Sequence, residues 1–551
     1  MRRSTLTKVL AILSLAMIAD TSLPYPSHHV IDGDLYIMVM FGLTENGCKD
    51  ITLRHFQYME AVDLALKHIN RHRGQFEDLG VKIGAIFMDD CSSAEHGLKV
   101  IREFYEGDLL VHDSTGVRIG PDQVVGFVAS ETSDKTMKVA EYLKTTKTAL
   151  VAPFATSPQL SDRTRFPYVV RTVPSDSKQG PAFAAFFMSL GWPNVHVIVE
   201  DESSYARDLA NSFKGTFEKE EQGRCISSTH MLDVTRRMYH YEQIISAIIN
   251  TTSKTDIVLH LASNFHVRAL LETKEKYLRN PKGKRLILIG AEGWGRTESF
   301  VQGYEKAAKG SISIGLYGEP VKRFNVHMSK LRFGKPSSRS VHTDLYFKEK
   351  FNCDNNCSTY MILTDLPTYS QDTFVLQVIN AVFALGKATT ERFKEKCGRN
   401  ATAVCVDFGT AFGVEFTEAL DNMCFTGIDG QDVAIRDRES YRAYNFYYWQ
   451  KDGTPIKIGR SGTEGRTYTP DPKHSSFPEG GYYDNLPRSE CPKKWSGYFC
   501  KRCRLGRSKN KRWNCKNKCW NCSQTRRDEY TKCDACIPFE EEFKCFNCVK
   551  I

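Results

Sequence analysis

Hydroxyls, carboxylates and one phenol recur at one kind of place in this chain, immediately after short aliphatic runs. Ser130, Thr132 and Ser133 follow the run 124–129, and Thr156 and Ser157 follow 149–154. Ser175 and Asp176 follow 168–174, Asp201, Glu202 and Tyr205 follow 195–199, and Glu292 follows 286–289. Hydroxyls combined with helix N-terminal amides bind a carboxylate, while Asp176, Glu292 and the ring face of Tyr205 bind an ammonium. Those two demands together describe the backbone of an α-amino acid. Taken singly, each residue is more readily a helix N-cap or a solvated loop position, so the pattern carries the reading. No catalytic motif competes with it. Gly-x-Ser-x-Gly, His-Glu-x-x-His and a phosphate loop are absent, and the glycines of 290–295 lack the Gly-x-Gly-x-x-Gly spacing. Asp89 and Asp90, just before Cys91, read as a solvated strand end rather than an acid/base pair. We expect no enzyme, no cofactor and no metal.

The elements that must hold such a site are legible in the hydropathy. The aliphatic runs 36–43, 81–88, 124–129, 149–154, 195–199, 256–261 and 286–289 are separated by stretches of helical period. One of these places Phe56, Met59, Val62, Leu66 and Ile69 on a single face; others cover 95–105, 136–143, 179–190 and 265–277. Strand and helix in alternation predict parallel sheets covered on both faces. Roughly 450 residues exceed one sheet's usual core, which predicts two α/β lobes, the second beginning near Gly191-Trp192. Open parallel sheets bind ligands beyond the carboxyl ends of their strands, where the hydroxyls and carboxylates stand.

Charge and cysteine are distributed very unevenly. Of 551 residues, the last 61 hold 16 Lys/Arg against 6 Asp/Glu, and so carry the whole net charge of +10, along with 10 of the 18 cysteines. Four Cys-x2-Cys pairs, at 500/503, 519/522, 533/536 and 545/548, would suggest zinc ribbons on nucleic acid in a reducing compartment. The other end of the chain argues otherwise. Arg2, Arg3 and Lys8 precede an apolar run over 9–19, broken by Asp20 and Pro24, as in a secretory signal. In an oxidising lumen the same thiols form a disulfide ladder, so neither zinc nor nucleic acid is expected. Asn250, Asn356, Asn400 and Asn521 head glycosylation triplets, which fits an extracellular chain. The longest other apolar stretch, 374–385, is too short to span a bilayer and contains Gln377 and Asn380.

The stretch Ala155-Thr-Ser-Pro-Gln-Leu-Ser-Asp-Arg-Thr-Arg-Phe-Pro-Tyr168, followed by Arg171-Thr-Val-Pro-Ser-Asp176 and Gly191-Trp192, resembles the ligand-binding ectodomain of class C G-protein-coupled receptors, especially metabotropic glutamate receptors. Ile289-Gly-Ala-Glu-Gly-Trp294, Met88-Asp-Asp-Cys-Ser92 and Val378-Ile-Asn-Ala381 match further stretches in order, so the resemblance spans 33–548. It implies a bilobed Venus flytrap of the periplasmic-binding-protein I type, closing on its ligand and followed by a small, disulfide-rich, mainly β domain. The implied organisation is a signal peptide over 1–20, a bilobed domain over 30–485 and a cysteine-rich domain over 491–551. Lobe 1 would comprise 33–180 and 320–440, and lobe 2 would comprise 185–318 and 441–475. Carried over, the family's α-carboxylate contacts fall on Ser133 and Thr156, and its α-ammonium contacts on Asp176, Tyr205 and Glu292. Glutamate-binding members hold the distal carboxylate with an Arg and a Lys, where this chain has Tyr58 and Phe374. A carboxylate buried there without a cation would lose charge-assisted hydrogen bonds worth roughly 1.5–3 kcal/mol each. The expected ligand is therefore a small amino acid or related amine with a neutral side chain, and glutamate is disfavoured.

The resemblance also implies the pairs Cys48–Cys91, Cys353–Cys357 and Cys397–Cys405, and a link from Cys225 to the cysteine-rich module that would carry lobe closure to the tail. Cys424 has no counterpart, and is left to pair with a surplus tail cysteine, to join a partner chain or to stay reduced. No cysteine lies in 102–123, where dimeric members have their intermolecular bridge, so a non-covalent dimer through lobe 1 is expected. Two functions fit. One is the extracellular sensor of a receptor signalling to G proteins, at the cell membrane if a membrane domain follows or a membrane receptor chain partners it. The other is a secreted, stand-alone binding or decoy protein.

Overall fold

The structure, a computed structural model, describes residues 28–490 apart from 52–54, 72–74, 77–79, 219–222, 279–285, 317, 336–340, 354–355, 400, 409–412 and 475–488. The predicted signal segment, the cysteine-rich tail, Asn400 and Asn521 lie outside the described residues.

Two sheets organise the chain. In the first, strands stand in the order His28–Ile31, Ile83–Asp89, Leu35–Phe41, Val124–Val128, Leu150–Ala152 and Val169–Arg171. All neighbours are parallel except the outermost pair, His28–Ile31 with Ile83–Asp89. Every residue of Leu35–Phe41 and Ile83–Asp89 is buried, which is why these runs are continuous in sequence rather than alternating. Phe56–Ile69 and Val375–Cys397 cover one face, and Ala94–Glu106 and Ser133–Thr146 the other. The apolar stretch at 374–385 is thus a core helix. No helix among the described residues is long and apolar enough to cross a membrane.

The second sheet runs Cys225–Leu232, Asn194–Glu200, Ile257–Leu261, Ile287–Gly290, Ile312–Leu316, Tyr444–Trp449, Pro455–Ser461 and Tyr468–Pro470. It is parallel through Ile312–Leu316 and antiparallel beyond. Asp176–Ser189 and Ser204–Phe217 line one face, and Arg237–Asn250 and Val267–Leu278 the other. The chain passes between the sheets three times, after Arg171, after Leu316 and after Ser440. Two α/β lobes joined by three crossovers are the architecture of a Venus flytrap. The first crossover comes earlier than Gly191-Trp192, because Phe183, Phe186 and Phe187 of Asp176–Ser189 already pack on Phe213 and Phe446 of the second core. Gly191, at φ +68°, ends that helix instead, in a conformation glycine takes without strain.

Disulfides join Cys48 to Cys91, Cys353 to Cys357 and Cys397 to Cys405. The first ties together the segments that follow Leu35–Phe41 and Ile83–Asp89. Cys225 and Cys424 are disulfide-bonded as well, so Cys424 is not a reduced thiol.

Candidate ligand-binding cleft

Residues from both lobes meet beyond the carboxyl ends of the strands. Helix Ser133–Thr146 starts just past Val124–Val128, and the Thr132 hydroxyl caps it by accepting the Lys135 amide at 3.2 Å. Ser133, its first residue, is buried, and its Oγ accepts the Ser157 amide at 3.2 Å. Thr156 is buried beside it with no hydrogen-bond partner for Oγ1, while its carbonyl accepts the Asp176 amide at 2.8 Å. Asp176 opens the next helix under a Ser175 cap. Its Oδ1 accepts Gln179 Nε2 at 3.2 Å and its buried Oδ2 has no partner.

The second lobe contributes Tyr205, in the first turn of Ser204–Phe217, whose hydroxyl donates to Glu292 Oε2 at 2.8 Å. Burial, with the Glu292 carboxylate nearby, holds Asp176 well above the usual carboxylate range. Burial also raises Glu292, and burial with both carboxylates raises the Tyr205 phenol well above its ordinary value. Two features here have only a weak sequence signal. Gln179 stands one helical turn from Asp176. Tyr444 comes from the remote antiparallel end of the second sheet, buried, with an unpartnered hydroxyl whose pKa is raised by burial and by Asp176 and Glu292. No cation hydrogen-bonds to Asp176 or Glu292 among the described residues. Two adjacent buried acids have the chemistry that would suit an ammonium, and an unpartnered threonine hydroxyl with a helix N-terminus has the chemistry that would suit a carboxylate.

Tyr58 and Phe374 also meet, through Phe154, at ring separations of 4.8 and 5.3 Å. Since Phe154 lies two residues before Thr156, this aromatic group adjoins the first. Tyr58 donates to Asp372 Oδ1 at 2.9 Å, a residue the sequence reading passed over. Asp89 and Asp90 are not a solvated strand end; both are buried. Asp89 Oδ1 accepts the amides of Leu43, Thr44 and Cys91 at 2.8, 3.2 and 2.9 Å. Lys135 Nζ sits 3.0 Å from both Asp90 and Glu131, bracing the turn that carries Ser133. Among the described residues, Glu60, Asp63 and His327 are grouped as metal ligands would be. His327 already bonds Glu60 at 2.6 Å, and Lys67 bonds Asp63, so the group is satisfied internally.

The lobes touch along the rim. Ser157 Oγ and Gln159 Nε2 both donate to Asp208 Oδ2, at 2.5 and 2.9 Å, and the Ser204 amide donates to Asp134 Oδ2 at 3.3 Å. Asp208→Ala removes two of these cross-lobe bonds. It is expected to weaken ligand affinity by roughly threefold to tenfold and to enlarge the radius of gyration of the ligand-free protein in solution X-ray scattering.

The chain matches the receptor family ligand binding region over residues 57–454. It belongs to that family. Among curated proteins this receptor-family chain is 24% identical to metabotropic glutamate receptor 4 of Macaca fascicularis over 499 residues, covering 85% of this chain and 53% of the relative. It is also 24% identical to metabotropic glutamate receptor 4 of Mus musculus over 457 residues and of Rattus norvegicus over 456, each match covering 78% of this chain and 49% of the relative. The chain thus spans about half the length of the relatives it matches.

Proposed function

We propose that this protein is an extracellular ligand-binding region of the metabotropic glutamate receptor type, sensing a small α-amino acid or related amine whose side chain is neutral. The ligand carboxylate sits on Ser133, Thr156 and the N-terminus of helix Ser133–Thr146. The ammonium lies between Asp176 and Glu292, against the Tyr205 ring. Closing brings Tyr205 and Glu292 onto a ligand first seated on the opposite lobe. The Cys225 disulfide carries that movement into the cysteine-rich tail, and from there toward G-protein signalling, with a non-covalent dimer formed through the first lobe. Asn250 and Asn356 are exposed and open to glycosylation.

The observation supporting this most strongly is the unpartnered Asp176 Oδ2 beside Glu292, buried without a cation. Tyr58 and Phe374, in place of distal cations, support a neutral side chain. Thermal-shift titration with alanine, leucine, phenylalanine, glutamine and glutamate tests the reading. Neutral members should stabilise the protein at concentrations roughly tenfold or more below those glutamate requires. Tight glutamate binding that survives Asp176→Ala would overturn both the site and its selectivity.

A further inference from the structure

The far end of the cleft is not simply apolar. Phe41, Tyr58, Phe154 and Phe374 pack on one another as a floor, with ring separations of 4.8 to 5.8 Å. Asp372 adjoins that floor. Its Oδ1 accepts the Tyr58 hydroxyl at 2.9 Å and the Phe374 amide at 2.8 Å, and its own amide donates to Gln57 Oε1 at 2.9 Å. Two hydrogen bonds therefore fix the carboxylate through Oδ1, and a third fixes its backbone, while Oδ2 accepts none among the described residues. Next to this segment the second lobe brings the Gly295–Arg296 turn. The rims meet here closely enough that a Cβ added at neighbouring Gly295 would lie 3.4 Å from Thr373 Cγ2. Arg296 is largely buried, and its one ion-pair partner among the described residues is the exposed Glu319, at 4.0 Å. Burial holds the Asp372 carboxyl above its usual range, opposed by the hydrogen bonds from Phe374 and Tyr58 and by the charges of His55 and Arg296. One lobe thus offers a fixed acceptor and the other a fork of donors.

We propose that Asp372 and Arg296 form a distal subsite for a carboxamide, which makes the ligand a side-chain amide amino acid, glutamine or asparagine. The inference rests on the α-amino-acid reading above. A primary amide donates through its nitrogen to Asp372 Oδ2 and accepts through its oxygen from Arg296, in a single planar group. A carboxylate would meet Asp372, an ammonium would meet Arg296, and an aliphatic or aromatic side chain would leave both charged groups desolvated and unpaired. Asp372 is then a specificity-determining residue, and its negative charge is what would disfavour glutamate at this subsite.

Isothermal titration of the full chain with L-glutamine, L-asparagine, L-glutamate, L-lysine, L-leucine and L-phenylalanine tests this, on the wild type and on Asp372→Asn, Arg296→Gln and Asp176→Asn. One of the two amides should bind at least roughly tenfold more tightly than the other four. Asp372→Asn, which keeps an acceptor for Tyr58, should reduce the preference over glutamate to below about threefold, because the new amide can donate to a carboxylate. Arg296→Gln should reduce the preference over leucine. Leucine or phenylalanine binding as tightly as both amides, or an amide-to-glutamate ratio unchanged in Asp372→Asn, would overturn the subsite. If Asp176→Asn still abolished that binding, the α-amino-acid reading would stand without it. Binding of none of the six would overturn both.

Discussion

Replacing Asp176 by asparagine should abolish amino-acid binding and, at the same time, stabilise the empty protein. Binding suffers because a charge-assisted contact to the ammonium is lost in a buried site, and the expected decrease is roughly 100-fold. Stability gains because Asp176 is a buried carboxyl whose Oδ2 has no partner, an arrangement that costs about 1–3 kcal/mol. The pH dependence gives the effect a sign. The folded-state pKa is raised well above the unfolded value, chiefly by burial and then by Glu292, so between those two values the native state binds more protons than the unfolded one. Wild-type stability therefore falls as pH rises through that window, and the asparagine variant lacks this contribution. Urea unfolding of ligand-free protein at pH 5 and pH 8 should show a gap in favour of the variant that widens at pH 8. A variant less stable than wild type at both pH values would refute the account of Asp176 as a strained, ligand-awaiting acid.

Glu439→Ala should be the most destabilising single change near the crossovers, at about 3–5 kcal/mol. Arg171, at the last position of its strand before the first crossover, is fully buried. It donates to the Ser157 carbonyl at 2.8 Å, to Ser161 Oγ at 2.7 Å and to Glu439, which immediately precedes the third crossover. The backbones are joined too, since the Arg171 amide donates to the Arg438 carbonyl at 2.8 Å. Removing Glu439 leaves a buried guanidinium without its counter-charge. Burial would raise Glu439, but the Arg171 charge, the hydrogen bonds from Ser161 and Arg171 and the Lys178 charge together outweigh it and hold the carboxyl below its usual range. Its contribution to stability is accordingly present above the unfolded carboxylate pKa and lost as pH falls through the lower folded value. Chemical denaturation of Glu439→Ala, Arg171→Met and the double variant measures the coupling. The double variant should recover much of the loss, because both charges leave the interior together. Additive losses would mean that the pair is not coupled.

Much of the α/β scaffold was legible because buried parallel strands write themselves as continuous aliphatic runs. Val124–Val128 and Asn194–Glu200 fall within a residue of their runs, and of the residues that follow them Ser133 bonds the Ser157 amide and Tyr205 bonds Glu292, while Asp201 and Glu202 stand exposed. The antiparallel end of the second sheet, Tyr444–Trp449 onward, was not legible, because its aromatic-rich strands carry no helix between them to set a period. Tyr444 was lost with it. Asp372 escaped for another reason: its importance comes from a hydrogen bond to Tyr58, 314 residues away in sequence. Asp89 and Asp90 read as solvated because two adjacent acids ordinarily are, yet backbone amides and Lys135 satisfy them in the interior.

The most direct test of the central claim, that an α-ammonium seats between Asp176 and Glu292, is calorimetric titration of the tightest-binding amino acid at pH 6, 7 and 8 in buffers of different ionisation enthalpy, beside its des-amino analogue. Both carboxyls are held above their usual range, chiefly by burial, and an ammonium seated between them favours their ionised forms. The account predicts net proton release, affinity that strengthens from pH 6 to pH 8, and no measurable binding of the des-amino analogue. Affinity independent of pH with no proton released, or a des-amino analogue that binds as tightly as the amino acid, would contradict it.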